Sequence, residues 1–163
     1  DFDLELAKQQ SAENPVYYVQ YAHARIASLF RVAEERGIPV PRPSGADLRE
    51  LTDPDELRLI RQLSVYPSVV QGGAEALEPH RITGYLQDLA GLLHTFYYKH
   101  RILPVAEADF PDLAGFKAEA PSARLRERLT PERTAARLVL MREVQRVIRN
   151  GLGLLGIAAL ERM

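Results

Sequence analysis

Three of the seven tyrosines stand within five residues, in the run Asn14-Pro15-Val16-Tyr17-Tyr18-Val19-Gln20-Tyr21-Ala22-His23-Ala24-Arg25-Ile26. Wound as a helix, Tyr17, Tyr21, Arg25 and Ser28 follow one another at i, i+4, i+8 and i+11 and form a single stripe. Flat aromatic faces accept any unstacked base, and a guanidinium presents a fixed fork of donors to a base edge or a phosphate. Such a stripe suits single-stranded RNA. The alternative is that the tyrosines pack against a core with their hydroxyls at its rim. Phe96-Tyr97-Tyr98-Lys99-His100-Arg101 repeats the mixture of aromatic and basic groups at a helix end. Arg142, Arg146 and Arg149 make another stripe, either a solvated face or a track of phosphate contacts.

Other chemistry finds little support. Gly151-Leu152-Gly153-Leu154-Leu155-Gly156 matches a dinucleotide fingerprint by letter, but it closes a helix instead of joining a strand to one, so no phosphate would meet a helix N-terminus. It reads as a glycine-rich C-cap whose apolar tail, Leu154, Leu155 and Ile157, folds back on the core. His94 and His100 lie six apart with no cysteine and no carboxylate at ligand spacing, so no metal site is expected. Glu34-Glu35 and Asp55-Glu56 fall at helix ends, where solvation and the helix dipole account for them. Nucleophile elbows, zincin motifs and Walker loops are absent, and no catalytic residue is expected.

The elements that must carry the stripe are helical. Asn14 as N-cap with Pro15 at the first position opens a long helix that Gly37 and Pro39 stop, with Val19, Ala22, Ile26, Leu29, Phe30 and Ala33 as its apolar face. Asp3 to Gln10 predicts a short helix before it. Asp53-Pro54-Asp55-Glu56 is a capping box opening a helix to about Val65, which Tyr66-Pro67 ends, and a separate helix is expected over Ser68 to Leu77. From Pro79 to Arg101, Ile82, Leu86, Leu89, Ala90, Leu93, Phe96, Tyr97 and His100 keep the helical period, with Pro104 as the stop. Val105 to Ala120 reads as a loop pinned by Phe110 and Phe116. Thr130-Pro131 opens a last helix through Leu138, Met141, Val144 and Ile148 to Gly151. No hairpin chemistry appears, so the fold is expected to be an all-α bundle of five to six helices.

At 163 residues the chain is long enough for one domain with a true core, and 1–163 is read as that single domain. No apolar run reaches a membrane span, and the absence of cysteine fits a reducing compartment. Net charge is −1, yet residues 121–163 hold nine basic and four acidic side chains. The start, Asp1-Phe2-Asp3-Leu4-Glu5, has neither an initiator methionine nor a signal peptide and is read as a cut inside a longer polypeptide.

The segment Asn14 to Ile26 resembles the opening helix of the anticodon-binding domain of bacterial-type arginyl-tRNA synthetases. Asp1 to Lys8 is similar to the stretch that follows the catalytic domain in that family, and Arg137 to Met163 is similar to its C-terminus. The domain type takes its name from a DALR motif, for which Ala135-Ala136-Arg137-Leu138 is the nearest stretch here. Cysteinyl-tRNA synthetases use a related domain, but the tyrosine-rich string points to the arginine enzyme.

The resemblance implies the anticodon-binding fold of class I synthetases and a cytoplasmic module that grips the anticodon stem-loop of arginine tRNA. Its partners would be that tRNA and the catalytic domain of the same polypeptide, with no membrane. ATP and magnesium would belong to that catalytic domain and no cofactor to this chain. Carried over by position, the anticodon side would comprise Tyr21 and Arg25, then Tyr97 and Arg101, and the terminal Met163. Val16 and Ile26 are expected in the core. The competing reading is a helical interaction domain that binds no RNA.

Overall fold

A computed structural model describes residues 13–104 and 129–163 of the chain. Within them lie four α-helices, α1 (Pro15–Glu35), α2 (Pro54–Ala76), α3 (His80–Lys99) and α4 (Pro131–Leu154), with short 3-10 turns at Pro43–Gly45 and Leu48–Glu50. The described residues contain no strand, and none of their helices is long and apolar enough to cross a membrane. The expected helix at Asp3–Gln10 and the expected loop with Phe110 and Phe116 lie outside the described residues.

Local chemistry sets the boundaries of α1. Asn14 accepts hydrogen bonds from the amides of Val16 and Tyr17 at 3.0 and 3.4 Å, satisfying donors that the first turn would leave orphaned. At the other end Gly37 adopts φ +66° while the Ile38 amide reaches back to the Ala33 carbonyl, the paired closure that a left-handed residue permits. Val19, Ala22, Ile26 and Ala33 are buried as expected, whereas Val16 is 39% exposed and stands outside the core.

Two expectations about α2 and α4 are corrected. Asp53 and Glu56 do form the capping box, but the helix continues through Pro67 to Ala76, so the two predicted helices are one and the described bundle has four helices, not five or six. An internal proline costs on the order of 3 kcal/mol. Packing on both sides of it offsets that cost: Leu63, Tyr66 and Val69 lie on the core, Tyr66 meets Tyr85 at 5.3 Å, and the Tyr85 hydroxyl donates to the Gln62 carbonyl at 2.8 Å. The last helix passes through Gly151, whose backbone lies so close to Leu86 that an added Cβ would meet its Cδ2 at 2.7 Å. Gly156, at φ +71°, is the residue that ends it. Leu155 and Ile157 pack against the core as expected, but Leu154 is exposed.

The core is the Ile82–Tyr97 ladder of α3 enclosed by α1, α2 and α4. That helix stops at Lys99, five residues before Pro104, because His100 turns extended and its ring stacks on Phe96 at 4.9 Å. One face of α1 therefore lies against the second half of α3, where the aromatic residues are concentrated.

Candidate nucleic-acid interface

Two ring contacts join α1 to α3. Tyr21 stacks on His94 with centroids 5.6 Å apart and planes 30° apart, and the Arg25 guanidinium lies over the Tyr97 ring at 4.5 Å from its centroid. Tyr18, one residue round the helix from the stripe, meets His94 at 4.7 Å and packs against the core. Burial raises the pKa of its hydroxyl. Tyr18 thus takes the place at the rim of the core, while Tyr17, Tyr21 and Arg25 stay partly exposed. Arg25 makes no ion pair or hydrogen bond with the described residues, so its fork of donors is uncommitted although the group rests over Tyr97. Tyr97 is buried beneath it. Stripe and platform lie together as one face of flat groups with a free cationic edge.

The C-terminal segment borders this face on the other side. The Gln20 amide donates to the Ala158 carbonyl at 2.8 Å, and Arg31 donates to the Glu161 carbonyl at 3.2 Å. Between them His23, fully buried, places Nδ1 2.8 Å from the Leu160 carbonyl. A carbonyl only accepts, so Nδ1 carries the proton. Burial lowers the His23 pKa and favours this neutral form. The segment ends at Met163, 49% exposed. Gln20, His23 and Arg31 occupy the flank of α1 next to the Tyr17–Ser28 stripe, so the tail runs alongside it.

The basic stripe on α4 is divided. Arg142 donates to the carbonyls of Pro41 and Val40 at 2.6 and 2.9 Å, clamping the proline-rich connector. Arg146 and Arg149 are exposed, the first paired with Glu143 at 3.0 Å and the second 3.7 Å from Glu161. Arg149 also borders an open groove lined by Tyr66, Pro67, Val70 and Leu154. Arg101 follows α3 on extended chain, and its carbonyl accepts a hydrogen bond from Arg137.

Sequence reasoning missed two ionic clusters because each joins distant segments. His100 Nε2 lies 3.3 Å from Asp53 and 3.2 Å from Asp55, so the expectation that His100 has no carboxylates near it fails. These three could ligate a metal ion, but Lys99 and Arg58 already bond to Asp55, at 3.1 and 2.8 Å, and supply the opposing charge. Burial raises the Asp55 pKa, but the bonds to Lys99 and His100 outweigh it and leave a net lowering. Glu56, expected at the helix start as the capping-box carboxylate, is also fully buried against Arg137 at 2.6 Å, with Arg133 at 3.6 Å. Arg137 also lies over the Phe96 ring at 5.5 Å. The arginine of the DALR-like stretch is thus an internal staple between α2, α3 and α4.

The family model of the DALR anticodon binding domain matches residues 19–113 and 123–163. The arginine–tRNA ligase of Citrifermentans bemidjiense is 48% identical over 163 residues, covering 100% of this chain and 25% of the relative's length. That of Geobacter metallireducens is 45% identical over 162 residues, 99% of this chain and again 25% of the relative. The chain therefore spans about a quarter of the curated relatives it matches. Among solved structures, the arginyl-tRNA synthetase of Thermus thermophilus superposes with a TM-score of 0.69 at 30% identity, over 100% of this chain and 23% of that one. A putative arginyl-tRNA synthetase of Campylobacter jejuni, at 22% identity and TM-score 0.69 over 99% of this chain and 29% of that one, shares the fold.

Proposed function

The chain belongs to the DALR anticodon-binding domain family, and from that premise we propose that it grips the anticodon stem-loop of arginine tRNA within a cytoplasmic arginine–tRNA ligase. The observation that carries this reading is the face on which Tyr21 and Arg25, one helical turn apart, are both held by α3 and both left open to a ligand. Activation of arginine with ATP and magnesium would belong to the rest of the polypeptide, with no cofactor required by this chain.

Every arginine codon has G at its centre, so every arginine anticodon has C there. A splayed-out cytosine offers a π face, an amino donor, and carbonyl and ring-nitrogen acceptors. Tyr21 supplies the stack, and Arg25, anchored on Tyr97, offers donors to the acceptor edge. Met163, at the end of the tail that Gln20, His23 and Arg31 hold beside the stripe, and Tyr17 at its start would wall the base in. Arg146 and Arg149 are the candidate phosphate contacts, and Arg101, four residues past Tyr97, would serve the anticodon side. Arg142 would act through the connector it clamps.

A titration of fluorescent arginine anticodon stem-loops against stem-loops of another tRNA tests this reading. The arginine sequence is expected to bind more tightly, with a log K against log salt slope of about −2 to −4, since each phosphate contact contributes roughly −0.7 to −0.9. Equal affinity for both stem-loops, or no binding, would leave the interaction-domain reading in its place.

A further inference from the structure

His94 occupies the centre of the interface yet has no assigned part in it. Its ring meets Tyr18 and Tyr21, three residues apart on α1, and it lies one turn before Tyr97, the plate beneath Arg25. Tyr18 lies in turn against α3, its hydroxyl beside Gly91. The Nε2 of His94 is sealed from solvent with no hydrogen-bond partner, so its polar edge offers nothing to an RNA ligand. Burial, and secondarily the charge of Arg25, lowers its pKa to about 4 despite a hydrogen bond with the Tyr18 backbone, so the ring is neutral near pH 7 and attracts no phosphate. What remains for His94 to contribute is its faces.

We propose that His94 is a positioning residue for base recognition: its imidazole plate backs the Tyr21 ring and holds the opposite face of that ring in register with the Arg25 fork. An exposed tyrosine samples several rotamers and must surrender them when a base stacks on it. Stacking on His94 removes that freedom before the ligand arrives. The result is two neighbouring contacts, Tyr21 on His94 and Arg25 over Tyr97, whose backing rings both come from one helix. Discrimination between bases depends on the relation between stack and donors, so it is the quantity that His94 controls. This inference rests on the anticodon-binding reading.

The test compares His94→Ala and His94→Phe in the 163-residue chain, with arginine anticodon stem-loops carrying C or U at the middle position. His94→Ala should lower the C-over-U preference by about tenfold, the scale of one lost stack, and should add nothing further in a Tyr21→Ala background. His94→Phe, which keeps a flat face, should retain the preference to within about twofold, a small part of that tenfold loss. Should His94→Ala fail to fold by circular dichroism, His94→Leu fills the volume without a plate and carries the same expectation. A folded His94→Ala or His94→Leu variant with undiminished preference, or His94→Phe falling as far as Tyr21→Ala does, overturns the positioning role while leaving the anticodon reading intact. An unmutated chain that does not prefer C overturns both.

Discussion

The guanidinium of Arg25 lies over the ring of Tyr97, 4.5 Å from its centroid, so the donors of α1 are seated on a residue 72 positions further along the chain. A lysine keeps the charge but has neither the plane that stacks nor the fork that pairs. Arg25→Lys should therefore weaken binding of the arginine stem-loop by about 1–2 kcal/mol and erode the preference for C over U, as read by fluorescence anisotropy.

The bond from His23 to the Leu160 carbonyl and the rings around His94 both depend on neutral imidazoles. Burial lowers both pKa values, that of His94 to about 4, so below the ordinary histidine value of about 6.5 the unfolded chain takes up protons before the folded one does. Their contribution is complete above that value and is lost as the pH falls toward the folded pKa. Thermal melts should show stability rising with pH between about 4 and 6.5, and His94→Phe should remove on the order of 1 kcal/mol of that rise.

Glu56 and Arg137 form a buried ion pair in which removing either leaves the other without its main counter-charge. Arg137→Ala is expected to cost about 3–5 kcal/mol in urea denaturation, whereas the paired replacement Glu56→Leu with Arg137→Met should recover much of the loss. A cost below about 1 kcal/mol for Arg137→Ala, the scale of a surface pair, would show that the pair is solvated.

Local rules made most helix ends legible. Asn14, Gly37, Asp53 with Glu56, and Thr130 each cap as their types dictate, since a cap needs only the residues beside it. Pro67 defeated the same rules because packing of Tyr66 on Tyr85 outweighs a local preference, and that contact spans 19 residues. That Tyr21 and Arg25 share one face follows from spacing alone, but what backs that face does not. His94 sits at the margin of the apolar ladder, where it shares the line Ala90, His94, Tyr97, and only the approach of α1 brings Tyr21 onto it. Glu56 was hidden by its own success as a cap, which accounted for its presence without the buried arginine.

Whether Tyr21 and Arg25 read the middle anticodon base is decided by the affinities of Tyr21→Ala and Arg25→Ala for arginine anticodon stem-loops with C or U at that position. Each substitution should cost about 1–3 kcal/mol with the C-containing loop and abolish the difference between the two loops. Arg146→Ala should weaken both equally, and Tyr21→Phe should stay near the unmutated chain. If Tyr21→Ala and Arg25→Ala fold and still bind C- and U-containing loops as the unmutated chain does, the stripe is structural and does not read the base.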